Sequence, residues 1–352
     1  MSFKLTFLGD ISLNGRYISF ADENINPFNQ LNIEQRDYTI GNLECLVEGV
    51  SENKFKKPRL KTTKRTYKFL KELNIDLISL ANNHVYDNLE DGLKNTIKEL
   101  NSLDISYIGA DTDISTYTNT KIIEKDNIKI AIVTYMTSDT NPKIPKNANI
   151  LYSLFENEND KQEEIIKKLK KEVDFVVYYM HWGGDVENRY MPSYTQTLLG
   201  KQLIDFGVDL IVGHHSHTLQ PYEIYKDKYI FYSLGNFCFD DIHFEGKVYK
   251  LKDYESAILN IEFIKDNYNI NLIPLLNTDE RFLIKECCFS YFIRIIQLLF
   301  NKFNNKIFLY SYHMVYKYKM AIKNVIFNKE KTIKERLKYF QIKKIIKFIK
   351  KK

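Results

Sequence analysis

The chain has 352 residues, of which 44% are hydrophobic and 27% charged, with a formal net charge of +6. That is ordinary globular usage, enough to bury one large core or two smaller ones. Cys45, Cys238 and the adjacent pair Cys287–Cys288 have neither the spacing of a disulfide framework nor that of a cysteine zinc site, so a reducing compartment is expected. No run approaches about 18 uninterrupted apolar residues, which argues against a transmembrane helix, and the opening MSFKLTFLGD lacks a signal-peptide apolar segment.

In chain order, short β-type runs alternate with helical ones. FKLTFLGD and DYTIGNLE read as strands ending in Gly plus a polar residue, KRTYKFLKELN as a helix, and IDLISLANNH as a strand. NLEDGLKNTIKELNSL places Leu89, Leu93, Ile97 and Leu100 on one helical face. ISYIGA reads as a strand, and KIIEKDNIKIAIVTYM as a hairpin turning at Asp126–Asn127. Helix NDKQEEIIKKLKKEV feeds strand DFVVYYMHWG, and helix SYTQTLLGKQLIDFG feeds VDLIVGHHSH. KYIFYSLGNFCFD, SAILNIEFIK and YNINLIPLL complete the series as strands. Such alternation predicts βαβ units around central parallel strands, with antiparallel additions.

The charge is divided unevenly. From Arg281 to Lys352 there are 19 Lys and Arg against 3 Asp and Glu, a net +16. The preceding 280 residues carry 32 against 42, a net −10, and six of the seven histidines. A domain boundary is therefore expected between a body, residues 1–280, and a basic helical tail, residues 281–352.

Four histidines fall at strand ends. His215-x-His217 follows VDLIVG, and alternate residues of a strand point the same way, so both imidazoles can face one ion. A lone His-x-His is a weak signal by itself. His214 then points the other way and reads as a supporting residue. His181 follows five β-formers, and its alternative is a buried histidine bonded to a backbone carbonyl. Asn82-Asn83-His84 has the alternative of a simple helix N-cap, Asp10 that of a turn residue, and Glu44 that of a solvated carboxylate. All occupy strand ends, where open α/β sheets bind ligands. Imidazoles backed by carboxylates and amides are a donor set for Zn, Mn or Fe.

Together these motifs carry a resemblance. Gly9–Asp10, Gly41-Asn42-Leu43-Glu44, Ala81-Asn82-Asn83-His84, His181-Trp182-Gly183 with Glu187, Gly213-His214-His215-Ser216-His217, and Ser233-Leu234-Gly235-Asn236-Phe237 with Asp240 resemble the CapA family. These are the poly-γ-glutamate capsule-synthesis proteins of the calcineurin-like metallophosphoesterase superfamily, and the resemblance covers residues 3–275. It implies a four-layer α/β/β/α sandwich with a dinuclear centre of divalent metal ions (Mn, Fe or Zn); the basic helical C-terminal extension lies outside the resemblance. On that resemblance Asp10, Asn83, His181, His215 and His217 are metal ligands and His84 is the leaving-group acid. Asn82, Glu187, His214, Asn236 and Asp240 stand behind the ligands or face substrate. Two positions depart from the superfamily pattern. Ser12 stands where the first block has histidine, and the second block lacks its bridging aspartate, leaving Asn42 or Glu44 to substitute.

The function implied is a metal-dependent, phosphoesterase-like hydrolase acting on an anionic polymer or phosphoester in capsule or surface-polymer synthesis. The alternative is a non-catalytic subunit that binds polymer or organises a synthase complex with membrane partners. In the tail, Tyr339, Ile342, Ile345, Ile346 and Ile349 share a helical face opposite Lys343, Lys344, Lys347 and Lys350. A basic amphipathic helix suits an anionic membrane surface; its alternative is a helical subdomain packed on the sandwich. A cytoplasmic protein at the inner membrane face is expected, and an acidic body without a nucleic-acid-binding motif argues against nucleic acid.

Overall fold

The computed structural model describes residues 1–31, 36–50, 59–155, 159–244, 246–250, 255–277 and 284–327. The amphipathic segment expected at 339–350 lies outside them. Two β-sheets dominate. In the first the strands run in the order Ile284–Glu286, Asn267–Asn277, Glu255–Ile264, Phe3–Ile11, Tyr38–Leu43, Leu77–Ser79 and Ser106–Ile108. From Phe3–Ile11 to Ser106–Ile108 all neighbours are parallel, and the late strands add antiparallel. The second sheet has the order Leu154–Phe155, Ile128–Thr137, Phe175–His181, Leu210–His214, Lys228–Phe231 and Tyr222–Tyr225, with Thr120–Lys125 paired to Ile128–Thr137. The turn between that last pair falls at Asp126 and Asn127, with φ of 52° and 61°, the left-handed pair that a tight hairpin requires.

The sheets face each other across one core. Phe7, Ile40 and Leu77 from the first meet Ile132, Val177, Tyr179 and Val212 from the second, all fully buried. Phe69, Leu70, Leu93 and Leu100 close the outer face of the first sheet against Leu8 and Ile78. On the outer face of the second, helices Asn159–Leu169 and Tyr194–Phe206 lie side by side, and the Tyr178 hydroxyl donates to Gln162 at 3.2 Å. Because Phe175–His181 is covered on both faces, its sequence is continuously apolar rather than alternating. The architecture is the expected α/β sandwich.

KYIFYSLGNFCFD, read as one strand, is two. Lys228–Phe231 belongs to the second sheet, and Asn236–Cys238 pairs in parallel with Phe3–Ile11 in the first. The chain changes sheet through Gly235, whose φ of +74° only glycine takes without strain.

Two compact units are present, Met1–Lys302 and Phe303–Lys352. The first takes in strand Ile284–Glu286 and most of helix Tyr291–Phe303. Ile293, Ile296 and Phe300 are buried at helical spacing, and Gln297 bonds both backbone groups of Tyr222, at 3.0 and 2.9 Å. The second unit contains helix Lys306–Phe327. Cys288 is exposed. No helix among the described residues is long and apolar enough to cross a membrane.

Candidate metal centre

The parallel strands of both sheets deliver their carboxyl ends to one place. Register aligns Asp10 with Asn42 and Asn236 in the first sheet, and His181 with His214 in the second. Asp10 depends on its neighbour, because a Cβ at position 9 would stand 2.0 Å from the Gly235 carbonyl oxygen. With glycine there, the Asp10 backbone N–H donates to that oxygen at 3.0 Å. Gly213 meets a similar constraint before the histidine cluster, where a Cβ would lie 2.2 Å from the Tyr232 carbonyl oxygen.

The Asp10 carboxylate accepts from the Asn42 side-chain amide at 2.8 Å and from the His215 backbone N–H at 3.0 Å. Its oxygens stand 3.6 Å from Nδ1 of both His214 and His217. The Asn42 amide also reaches Glu44 Oε1 and His181 Nδ1, each at 3.4 Å. His181 Nδ1 lies 3.0 Å from His214 Nδ1, and its Nε2 lies 2.8 Å from Asn83 Oδ1. His217 Nδ1 lies 2.9 Å from Asn236 Oδ1. Ligand atoms of Asp10, His181 and His214 lie within 4.8 Å of one another, and so do those of Asp10, Glu44 and His217. Asp10 is common to both sets.

The histidine geometry differs from the expected alternation. The strand stops at His214, and His215 and His217 take φ of +93° and +58°. Such conformations cost a non-glycine residue about 1–3 kcal/mol and are held here by the surrounding cluster. The turn brings His214, His215 and His217 inward together, and a His214 nitrogen lies with Asp10 and His181 in a group that could hold a metal. His215 is 2% exposed, its ring centroid 4.5 Å from that of His181, and neither ring nitrogen has a hydrogen-bond partner.

Burial sets the electrostatics. It pushes His181 and His215 well below the ordinary imidazole value, and neighbouring imidazoles add to the effect. His214 falls to about 4 through burial, partly offset by Asp10. Glu44 is raised well above the usual carboxylate range by burial and by the adjacent Asp10. Neutral imidazoles are the form that binds metal. His214 Nε2, Glu44 Oε2 and both His215 nitrogens are buried without hydrogen-bond partners. Each such group left unsatisfied costs about 1–3 kcal/mol. Bound divalent cations would give such groups partners, and the two groups Asp10, His181, His214 and Asp10, Glu44, His217 are donor sets that fit a metal.

The remaining expected residues are placed as follows. His84 Nδ1 contacts Asp87 Oδ2 at 2.7 Å, and Asn82 Oδ1 accepts the His84 backbone N–H at 3.1 Å. Asp87 went unnoticed in the sequence, although His84-x-x-Asp87 offers the i,i+3 spacing that could have found it. Asp240 is engaged away from the cluster, accepting from the Arg16 backbone N–H at 2.7 Å. Ser12 donates to Asn14 Oδ1 at 2.7 Å. Asn83, His84, Glu187, His215 and His217 line a cavity of about 670 Å³.

An α/β sandwich with buried Asp and His side chains gathered at its strand ends defines a protein with the metallophosphoesterase type of fold. Among solved structures, one described as a novel phosphatase from Mycoplasma pneumoniae shares the fold at a TM-score of 0.50 and 17% identity, over 80% of this chain and 96% of that one. The family described as bacterial capsule synthesis protein PGA_cap matches residues 4–241, and the chain belongs to that family. The capsule biosynthesis protein CapA of Bacillus anthracis is 29% identical over 284 residues, covering 73% of this chain and 66% of the relative. The PGA biosynthesis protein CapA of Bacillus subtilis (strain 168) is 32% identical over 253 residues, covering 67% and 63%. The chain thus spans about two thirds of the length of the curated relatives it matches.

Proposed function

We propose that this protein is a metal-dependent, phosphoesterase-like hydrolase acting on an anionic polymer or phosphoester in the synthesis of a capsule or surface polymer. The observation that carries this reading is Asp10, shared by two candidate ligand sets in a buried cluster where His214 Nε2 and both His215 nitrogens have no hydrogen-bond partner. Asp10, His181 and His214 would hold one ion and Asp10, Glu44 and His217 a second, with His215 between them and Asn83 alongside His181. The donor set suits Mn, Fe or Zn. Bound there, the ions would supply a water of lowered pKa and charge stabilisation for the transition state.

The chain's own groups do the rest. Asn42 orients Asp10 and Glu44 through one amide. Asp87 fixes the His84 ring through Nδ1, leaving Nε2 to carry the proton given to a leaving oxygen. Replacing His84 with Asn is expected to lower kcat for an aryl phosphate by about 10²–10⁴-fold with metal content retained. Unchanged turnover would remove His84 from the chemistry, and absence of turnover in the metal-loaded wild type would remove the hydrolase. The second reading, a non-catalytic polymer-binding or scaffolding subunit, is favoured by Ser12, whose hydroxyl is turned to Asn14 where the superfamily has a ligand.

A second proposal concerns location. Helix Tyr291–Phe303 buries Ile293, Ile296 and Phe300 and leaves Tyr291 81% and Leu298 67% exposed. The chain from Arg281 onward carries a net +16. An anionic membrane surface suits both features, with each lysine near it contributing about 1 kcal/mol, and membrane-bound synthase subunits would be neighbours there. Binding to anionic vesicles, weakened by Leu298→Asp and by salt, is the expected result. Equal binding to zwitterionic vesicles, or none to either, would overturn it.

A further inference from the structure

A second cavity, of about 340 Å³, lies along helix Tyr291–Phe303 and shares no lining residue with the cavity before the metal cluster. Its wall is mostly apolar. Phe231 comes from the second sheet, Leu272 from a late strand of the first, and Phe289 and Ile296 from the helix and the residues leading into it. Arg294 is the one charged side chain among the described residues that line it, and no carboxylate stands beside it on the wall. Ligand sites of about 300–1,000 Å³ have this make-up, an apolar lining with a few polar groups that fix orientation.

The polar groups gather near the start of the helix. Gln220, which lines the cavity, donates through Nε2 to the backbone carbonyls of Arg189 and Met191, at 2.8 and 3.2 Å. Those residues flank Tyr190, whose ring centroid lies 4.7 Å from that of Phe292. The two bonds fix which way the amide faces. Its Oε1, on a residue 6% exposed, is left with no hydrogen-bond partner, and a buried acceptor without a donor is costly. Arg294, two residues beyond Phe292, is exposed. Gln297, further along, is fully engaged with both backbone groups of Tyr222 and with Asn301 Oδ1. Leu298, also on the wall, is 67% exposed. One end of the cavity therefore offers an acceptor and a cation, and the rest offers an apolar trough that opens beside an exposed leucine.

That arrangement matches an amphiphile with an unbranched chain and an anionic, hydroxyl-bearing head. Resting on the reading of this chain as one that meets an anionic membrane surface, we propose that the cavity holds one acyl chain of an anionic phospholipid. Arg294 faces the phosphate, and Gln220 Oε1 accepts from a hydroxyl of the head. The net +16 from Arg281 onward draws the protein to such a surface, and the cavity then takes hold of an individual lipid.

The test is calorimetric binding of monomeric lysophospholipids, below their micelle concentrations, to the full chain. The probes are decanoyl and dodecanoyl lysophosphatidylglycerol, dodecanoyl lysophosphatidylcholine as the zwitterion, and glycerophosphoglycerol as the head alone. Wild type is expected to bind the dodecanoyl anionic lipid about tenfold or more tighter than the decanoyl one, because each buried methylene contributes about fourfold. The head alone is expected not to bind. Arg294→Gln, at an exposed position, is expected to weaken the anionic lipid about fivefold and to leave the zwitterion unchanged. Leu272→Trp fills the trough and is expected to weaken both lipids at least tenfold, with the melting temperature showing that it folds. No lipid binding by wild type, affinity independent of chain length, or wild-type affinity in both variants would overturn the acyl site. Vesicles separate this from the membrane reading it rests on. Monomer binding without binding to anionic vesicles would keep the cavity's ligand and reject the membrane location. Vesicle binding without monomer binding would reject the acyl site and keep the surface attachment.

Discussion

Three imidazoles buried beside one another make the metal-free protein sensitive to acid. An unfolded histidine titrates near 6.5, and folded His214 is held at about 4, with His181 and His215 also depressed. Between those values the unfolded chain binds more protons than the folded one, so stability rises with pH through that window. The histidine contribution is therefore complete above about pH 6.5 and is lost as pH falls towards 4. Glu44, raised by burial and Asp10, acts with the opposite sign, which is why the comparison needs a variant. The melting temperature of the metal-free protein is expected to fall more steeply between pH 7 and 5 in wild type than in His214→Gln. Parallel curves would mean that His214 is not held neutral by its surroundings.

At the scale of elements, the close approach of strands decides where glycine is needed. Gly213 lies between the second sheet and the Tyr232 carbonyl, and Trp182 Nε1 donates to the same oxygen at 2.9 Å. Gly213→Ala would press a methyl into both and is expected to cost about 1–3 kcal/mol or more, read as a lowered denaturant midpoint. A wild-type midpoint would mean that the strand end shifts freely. Much of this layer was legible in the sequence. VVYYMH and LIVGHH are continuous apolar runs because parallel strands here are covered on both faces, and Ser193 with Gln196 completes the capping box at the start of helix Tyr194–Phe206. Other features left no periodic signal. The change of sheet at Gly235 interrupts one apolar run without altering its composition. The positive φ at His215 and His217 breaks the strand alternation just after His214 and left no signal in the sequence. Asp87 was legible only through the His84-x-x-Asp87 spacing, which the strand-end pattern did not single out.

For the whole molecule, the two sheets bring residues far apart in sequence to one buried point. Asp10 and His214 are separated by most of the body, yet their side chains lie 3.6 Å apart. A metal held there would couple its binding to folding. A ligand bound only by the folded state stabilises it by about 2.7 kcal/mol at a hundredfold excess over Kd, so chelating a metal bound there should lower the melting temperature. The charge asymmetry belongs to this scale too. The acidic body holds the cluster, and the basic chain that follows Arg281 supplies the net positive charge.

The measurement that bears most directly on the central claim is metal stoichiometry per chain, by elemental analysis of wild type and of Asp10→Asn. If Asp10 joins two ion positions, wild type reconstituted with Mn or Zn carries close to two ions, and the single substitution releases both. A wild type that binds none, or an Asp10→Asn protein that retains its full complement, would contradict a centre built on that carboxylate.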